Sequence, residues 1–259
     1  MLPSYPLPWK LFLGILGSMA RRERRSFRAD SVSCLAQANL ALRVEGSQYI
    51  PTNGPAVIAV NHYSRPGFRA WWIALAVSAQ VPVEMHWTMT AAWTFAGSLS
   101  SWALAEISRR LFPYIAEVYG FTAMPPMPPR PFEHAARAQA VRRVLDAAKA
   151  KPPPVFGMAP EGQDNPGGVL MRPHPGTGRF LYHLARLGYP IQPVGVYEEM
   201  RSFCLSFGPP FHLALPPGLS KEAIDHCASQ MVMQALARQL PVRLGGEFDA
   251  DTLATPCER

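Results

Sequence analysis

Short apolar runs alternate with longer amphipathic segments along the chain, and turn residues separate them. Apolar runs of about four to eight residues are typical of buried strands, and a 3.6-residue repeat is typical of helices. This alternation predicts one α/β domain with a mixed, mostly parallel central sheet flanked by helices. The predicted strands cover 40–45, 56–60, 82–89, 120–124, 155–159, 190–196 and 203–208. The predicted helices cover 30–40, 69–79, 132–150, 177–187 and 220–239, with a further helical stretch over 91–118 interrupted at Gly97 and Pro113.

Residues 1–29 form a separate amphipathic segment in which apolar residues precede a basic run. A secretory signal has its positive charge before the apolar core, so this order argues against one. The segment is too short to span a bilayer, and no run of about 18 apolar residues occurs elsewhere. An interfacial helix with its arginines on anionic head groups fits this order. A core-packing helix followed by a solvated basic turn is the alternative.

The remaining chain is predicted to form one domain over residues 30–250 and a short tail over 251–259. The whole sequence of 259 residues has 48% hydrophobic and 17% charged residues, which is compatible with a large core, and its net charge of +7 favours an anionic partner. The arginines concentrate beside an apolar segment and no nucleic-acid-binding motif occurs, so no nucleic-acid partner is predicted. The cysteines form no CxxC pair, and no metal site is predicted.

The most informative motif lies at the end of the apolar run "AVIAV" (56–60), where Asn61 and His62 follow directly. A histidine at the tip of a buried strand is well placed to act as a general base, although it also suits a purely structural role. Asn61 and Ser64 are suited to ordering the turn through side-chain hydrogen bonds to the backbone. Arg65 lies beside the histidine and is a candidate for a phosphate contact or a solvated turn residue.

Five sequence blocks follow one another between residues 42 and 249. They are "LRVEGSQYIPTNGPAVIAVNH" (42–62), "PVFGMAPEG" (154–162), "GYPIQPVGV" (188–196), "LSFGPPFHL" (205–213) and "QLPVRLGGEFD" (239–249). Their order and spacing resemble the glycerolipid acyltransferase superfamily, typified by 1-acylglycerol-3-phosphate acyltransferases. The resemblance extends over roughly residues 30–250.

The resemblance implies transfer of a fatty acyl group from acyl-CoA or acyl carrier protein to a hydroxyl acceptor of lysophospholipid type. Because Asp164 replaces an arginine expected to contact the acceptor phosphate, an atypical acceptor is an open alternative. In that family an Asn-His-x4-Asp motif performs the reaction. His62 matches the base that takes a proton from the acceptor, and the aspartate orients the imidazole. The resemblance also implies phospholipid biosynthesis and no cofactor besides the thioester co-substrate. Together with the N-terminal segment and the positive net charge, it predicts a peripheral protein at the cytoplasmic face of an anionic membrane.

The chain departs from the family pattern at the aspartate position, which is Gly67. Asp164, which stands where the family has an arginine, is a candidate for the missing carboxylate, and Glu161 is a second one. The loss of the orienting aspartate allows an alternative function, that of a degenerate family member that binds lipid or acyl chains without turnover. The predicted catalytic residues are His62 and Asp164. The predicted substrate-binding residues are Asn61, Ser64, Arg65, Glu161, Gly162, Arg172 and Gly176.

Overall fold

The computed structural model describes residues 3–93, 99–127 and 130–248. The helices of these residues are α1 (Trp9–Arg21), α2 (Phe27–Ala38), α3 (Trp71–Gln80), α4 (Leu99–Tyr119), α5 (His134–Ala147), α6 (Thr177–Arg186), α7 (Lys221–Ala237) and α8 (Val242–Gly245). The strands are β1 (Leu42–Glu45), β2 (Ala56–Val60), β3 (Met85–Thr90), β4 (Thr122–Met124), β5 (Val155–Met158), β6 (Ile191–Glu199) and β7 (Ser202–Phe207).

The strands of the described residues form one sheet in the order β1-β7-β6-β2-β5-β3-β4. Adjacent strands are parallel except β6 and β7, which are antiparallel. At the centre of the sheet, Ala59 of β2 lies opposite Met158 of β5 on one side and Pro193 of β6 on the other. The predicted α/β class with a mixed, mostly parallel sheet is confirmed.

The hydrophobic core is centred on the three middle strands. Every residue of β2 and β5 is buried, and so is nearly all of β6. Strands covered on both faces by helices need apolar side chains at consecutive positions, which explains the unbroken apolar runs of the sequence. Helices α2 and α3 pack together, as do α6 and α7. The middle strands therefore provide a rigid base for the segments that leave their ends.

One prediction about the helices is wrong. The interruption expected at Pro113 does not occur, because α4 continues through this residue to Tyr119. A proline inside a helix removes one backbone hydrogen bond, and contacts of the surrounding turns can outweigh that loss. Here the neighbouring Phe112 and Ala116 are buried. The interruption expected at Gly97 and the tail 251–259 lie outside the described residues.

Helix α1 of the N-terminal segment combines a packed face and an exposed face. Ile15 is buried, and the ring of Phe12 packs against that of Trp71 with centroids 5.8 Å apart. On the other face, Trp9 and Leu13 are 67% and 68% exposed. The helix ends where Arg22 adopts a left-handed conformation, and α2 begins before the predicted domain boundary at residue 29. Among the described residues, no helix has the length and apolar character that crossing a membrane requires.

Candidate active site

The candidate site lies where β2 and β5 end side by side. These strands are adjacent and parallel, so the segments that follow them leave the sheet at the same edge. In open α/β sheets, ligands bind at the carboxyl ends of the strands. The segment after β2 carries His62, and the segment after β5 carries Glu161 and Asp164. The fold thus brings together residues that are a hundred positions apart in the sequence.

The imidazole of His62 contacts the carboxylate of Asp164. Nδ1 of His62 lies 3.0 Å from Oδ1 of Asp164, and the side chains are 22% and 70% exposed. The distance is that of a hydrogen bond, but the geometry does not meet the angular requirements of one, so the two atoms form a close polar contact. The interaction with the imidazole holds the pKa of Asp164 below its usual range, against the opposing effect of partial burial. Asp164 is therefore an anion at neutral pH.

Glu161 contacts the backbone of the same histidine. Its Oε2 accepts a hydrogen bond from the His62 amide at 2.5 Å, and its Oε1 accepts one from the Met171 amide at 2.9 Å. The side-chain amide of Asn165 also donates to Oε1. Glu161 is only 1% exposed, and burial raises its pKa. The carboxyl group of Glu161 thus joins the segments after β2 and β5 from inside the protein.

Asn61 determines the direction in which the chain leaves β2. The Asn61 side chain is buried, donates to the Val196 carbonyl at 2.9 Å and accepts from the Val196 amide at 2.6 Å. These two bonds use the side-chain amide as a bridge between the end of β2 and strand β6. A side chain that replaces backbone pairing in this way orders a turn. His62 therefore starts from a fixed backbone position.

Gly67 occupies a tight turn. The Phe68 amide donates to the Arg65 carbonyl at 3.1 Å, Pro66 follows Arg65, and Gly67 has φ of +82°. Proline at the second position and a positive φ at the third are the pattern of a type II turn, which favours glycine there. A Cβ atom at position 67 would lie 3.5 Å from Nη1 of Arg65. The turn conformation thus explains a glycine where the family pattern has an aspartate.

Arg65 is held by a buried carboxylate that the sequence analysis missed. Its Nε and Nη2 lie 2.5 and 2.7 Å from the two carboxylate oxygens of Glu198 in β6. The hydroxyl groups of Tyr63 and Tyr5 donate to the same carboxylate at 2.9 and 2.7 Å. The signal in the sequence was an acidic pair, Glu198 and Glu199, directly after the apolar run of β6.

Two other predicted site residues have partners outside the His62–Asp164 contact. Arg172 pairs with Glu247 at 2.7 Å, and both side chains are largely exposed. The Gly176 amide donates to the carboxylate of Asp225 at 2.7 Å just before α6, with φ of +95°. The structure thus places Arg172 and Gly176 in contacts that connect α6 and the preceding loop to the C-terminal helices.

The surface around Asp164 is an open depression rather than a deep cavity. Gly162 forms the turn after β5, with φ of +70° and its amide donating to the Ala159 carbonyl. Ser64 lies opposite this segment, and both sides line the depression, whose residues are Ser64, Arg65, Pro66, Asp164, Asn165 and Gly167. Within the described part of the chain, no group of three or more histidine, cysteine, aspartate or glutamate residues is placed to hold a metal ion.

Comparison with known proteins identifies the family to which the chain belongs. A family model described as Acyltransferase matches residues 41–197, which is more than half of the chain. The chain belongs to the Acyltransferase family. The resemblance predicted from the sequence is confirmed, and the matched residues of this acyltransferase include His62, Glu161 and Asp164. Acyl transfer is the general class of activity that this membership supports.

Among solved structures, one that is similar to this chain is described as an acyltransferase. It is the 1-acyl-sn-glycerophosphate (LPA) acyltransferase PlsC from Thermotoga maritima, with 16% sequence identity and a TM-score of 0.48. The match covers 82% of the present chain and 79% of the other. A search of curated protein sequences gave no match.

Proposed function

We propose that this acyltransferase moves a fatty acyl group from acyl-CoA or acyl carrier protein to a hydroxyl acceptor of lysophospholipid type. The observation that carries the proposal is the 3.0 Å contact between Nδ1 of His62 and Oδ1 of Asp164. A histidine acts efficiently as a base when a carboxylate holds its ring in the productive tautomer. Asp164 supplies such a carboxylate from the segment after β5, in place of position 67.

The proposed reaction needs no covalent acyl-enzyme. Because Asp164 faces Nδ1, the other ring nitrogen, Nε2, takes the proton of the acceptor hydroxyl. The resulting alkoxide attacks the thioester carbonyl carbon, a new C–O bond forms, and the C–S bond breaks. The leaving thiolate then takes the proton from the imidazolium. Asp164 stabilises the imidazolium between these steps, as an anion close to a cation does.

The charges around the site favour an acceptor other than lysophosphatidate. Arg65 already forms a bidentate pair with Glu198, and Arg172 pairs with Glu247. The ionised Asp164 repels a phosphate that approaches the base. Among the residues proposed for substrate binding, Ser64 and Gly162 lie on the two segments that border the depression. Asn61 and Glu161 support these segments through buried hydrogen bonds to the backbone of Val196 and of His62.

We further propose peripheral attachment to the cytoplasmic face of an anionic membrane through α1. Its exposed apolar side chains, Trp9, Leu13 and Leu16, are followed by Arg21 and Arg22. An amphipathic helix of this kind inserts its apolar face at the acyl boundary and leaves its cations at the head groups. The charge complementarity to anionic lipids supports this partner.

The test of catalysis uses purified protein, labelled acyl-CoA or acyl carrier protein, and a panel of lysolipids and alcohols. Wild type is expected to release thiol only with a suitable acceptor, and His62→Ala is expected to abolish this release. His183→Ala, an exposed histidine of α6, is the matched control and should retain activity. The absence of turnover with every donor and acceptor would favour the alternative, a family member that binds lipid without catalysis.

The test of membrane attachment is flotation with vesicles of phosphatidylcholine alone or with phosphatidylglycerol. The double variant Trp9→Ser/Leu13→Ser should lose most of its flotation with anionic vesicles. Val242→Ser is the matched control because Val242 is also apolar and 74% exposed but lies in α8. Equal flotation of the double variant and wild type would reject α1 as the attachment site.

A further inference from the structure

Glu198 is the most heavily bonded buried carboxylate near the candidate site. Its side chain has no exposed surface, and it accepts two bonds from Arg65, one from Tyr63 and one from Tyr5. Burial, followed by the bond to Glu198, raises the pKa of Tyr63 to about 12, so the phenol remains a donor at neutral pH. A buried ion pair adds little net stability compared with apolar packing. The main consequence of the Arg65–Glu198 pair is therefore that it fixes the position of Arg65.

Two of the three residues that donate to Glu198, Tyr63 and Arg65, belong to the loop that carries the proposed base. Tyr63 directly follows His62, and Arg65 begins the turn that contains Gly67. The ring of Tyr63 also lies against the backbone of Gly168, where a Cβ atom would approach the ring to 2.6 Å. Gly168 belongs to the segment that carries Asp164. The hydroxyl group of Tyr63 is therefore bonded to Glu198, and its ring packs against the Asp164 segment.

The same carboxylate holds the residues that precede α1. Tyr5 donates its hydroxyl to Glu198, and its ring packs edge-on against Phe68 with centroids 4.9 Å apart. The Arg65 guanidinium lies 5.6 Å from the Tyr5 ring centroid and donates to the Pro3 carbonyl at 2.9 Å. The N-terminal segment is thus fastened to the His62 loop at one shared point.

We propose that Glu198 is a positioning residue of the acyltransferase: through Tyr63 and Arg65 it holds the His62 loop against the Asp164 segment, and through Tyr5 it fastens the chain before α1 to that loop. The inference rests on the proposed function, because the contact that it preserves is the one between the base and its orienting carboxylate. Glu198 does not touch the reacting atoms in this scheme and acts through His62.

The chain contains a matched control for this cluster. Nε and Nη2 of Arg25 lie 2.7 and 2.5 Å from the two oxygens of Asp30, and the Tyr119 hydroxyl donates to Asp30 at 2.8 Å. This second cluster has the same chemistry, a bidentate arginine and a phenol on one carboxylate, but joins α2 to α4. Asp30→Asn therefore measures the general cost of breaking such a cluster away from the site.

The kinetic test compares Glu198→Gln with Asp30→Asn. Glu198→Gln is expected to lower kcat by about tenfold to a hundredfold with little change in KM, since small misplacements of a base are costly. Asp30→Asn should stay close to wild type. In an Asp164→Asn background, Glu198→Gln should lower kcat further by less than about twofold, because both changes act on one contact. Equal losses in the two single variants, or an undiminished loss in the double variant, would overturn the inference.

Hydrogen exchange separates this inference from the proposed function. Glu198→Gln is expected to speed amide exchange in peptides covering 62–68 and 3–8, and Asp30→Asn should leave both peptides unchanged. Faster exchange in Glu198→Gln, together with no turnover in wild type, would contradict the proposed function but support the inference that Glu198 positions the loop. Unchanged exchange in Glu198→Gln, with or without activity, would contradict the inference.

Discussion

Glu161 and Asp164 are two carboxylates of one short segment, and they contact different parts of His62. Glu161 is 1% exposed and accepts the backbone amide of His62, whereas Asp164 is 70% exposed and lies 3.0 Å from the ring. Burial raises the pKa of Glu161, whereas the imidazole lowers the pKa of Asp164. One carboxyl group therefore holds the chain in place, and the other is available for charge stabilisation during a reaction.

The two carboxylates differ in how strongly the fold constrains them. Buried groups that satisfy backbone amides are hard to exchange, because each change leaves donors unpaired. An exposed side chain at the rim of the site meets no such constraint. The orienting carboxylate is therefore expected to be the replaceable part of the site, and the buried glutamate the permanent part.

The largest expected effect is on catalysis. Asp164→Asn should lower kcat by about a hundredfold or more, because the same change in serine proteases costs about four orders of magnitude. The unfolding free energy should change by less than about 0.5 kcal/mol, since the side chain is mostly exposed. Acyl transfer assays and urea denaturation measure the two quantities. Full activity of Asp164→Asn would show that Asp164 does not orient the base.

The second effect is on stability. Glu161→Ala removes the acceptor of the His62 and Met171 amides and should lower the unfolding free energy by about 3 kcal/mol. Glu45→Ala is the control, because its carboxylate is 51% exposed in a surface pair, and it should resemble wild type. Urea denaturation of the three proteins is the measurement. An unchanged midpoint for Glu161→Ala would show that the buried bonds are dispensable.

The third effect is a pair of opposite pH dependences. The pKa of Asp164 is lowered, so its stabilising contribution is present above the ordinary aspartate range and is lost as pH falls through the lowered pKa. The pKa of Glu161 is raised, so its contribution is present at low pH and is lost as pH rises through the raised pKa. Unfolding free energies of Asp164→Asn and Glu161→Gln, each subtracted from wild type across pH, should therefore slope in opposite directions. Parallel slopes would contradict the assignment of the two environments.

The last prediction concerns catalytic rescue at Gly67, where no recovery of activity is expected. Gly67→Asp should cost about 1 kcal/mol of unfolding free energy, because residue 67 has a positive φ in a tight turn. The new carboxylate would point towards Arg65, which is bound to Glu198, so the variant should restore no activity to Asp164→Asn. A tenfold recovery in the double variant would show that position 67 can still serve the base.

The fold class and the position of the histidine could be predicted from local sequence patterns. Short apolar runs between turn residues, such as 56–60 and 155–158, favour strands covered on both faces, and their alternation with helical periods favours a parallel sheet. The motif at Asn61 and His62 was visible because it follows such a strand directly. Asp164 could be named as a candidate because it follows Glu161 by three residues, at a position where the family pattern has an arginine.

The part of His62 that each carboxylate contacts depends on long-range folding and could not be predicted from the sequence. Glu161 and Asp164 are three positions apart, and their different roles depend on how the loop folds against β2. The buried contacts of Glu198 join three segments that are distant in sequence, so no local sequence pattern predicts them. Helix α4 also continues through Pro113, where tertiary packing outweighs local propensity. Local patterns select elements, whereas the pairing of side chains depends on long-range geometry that only the folded chain provides.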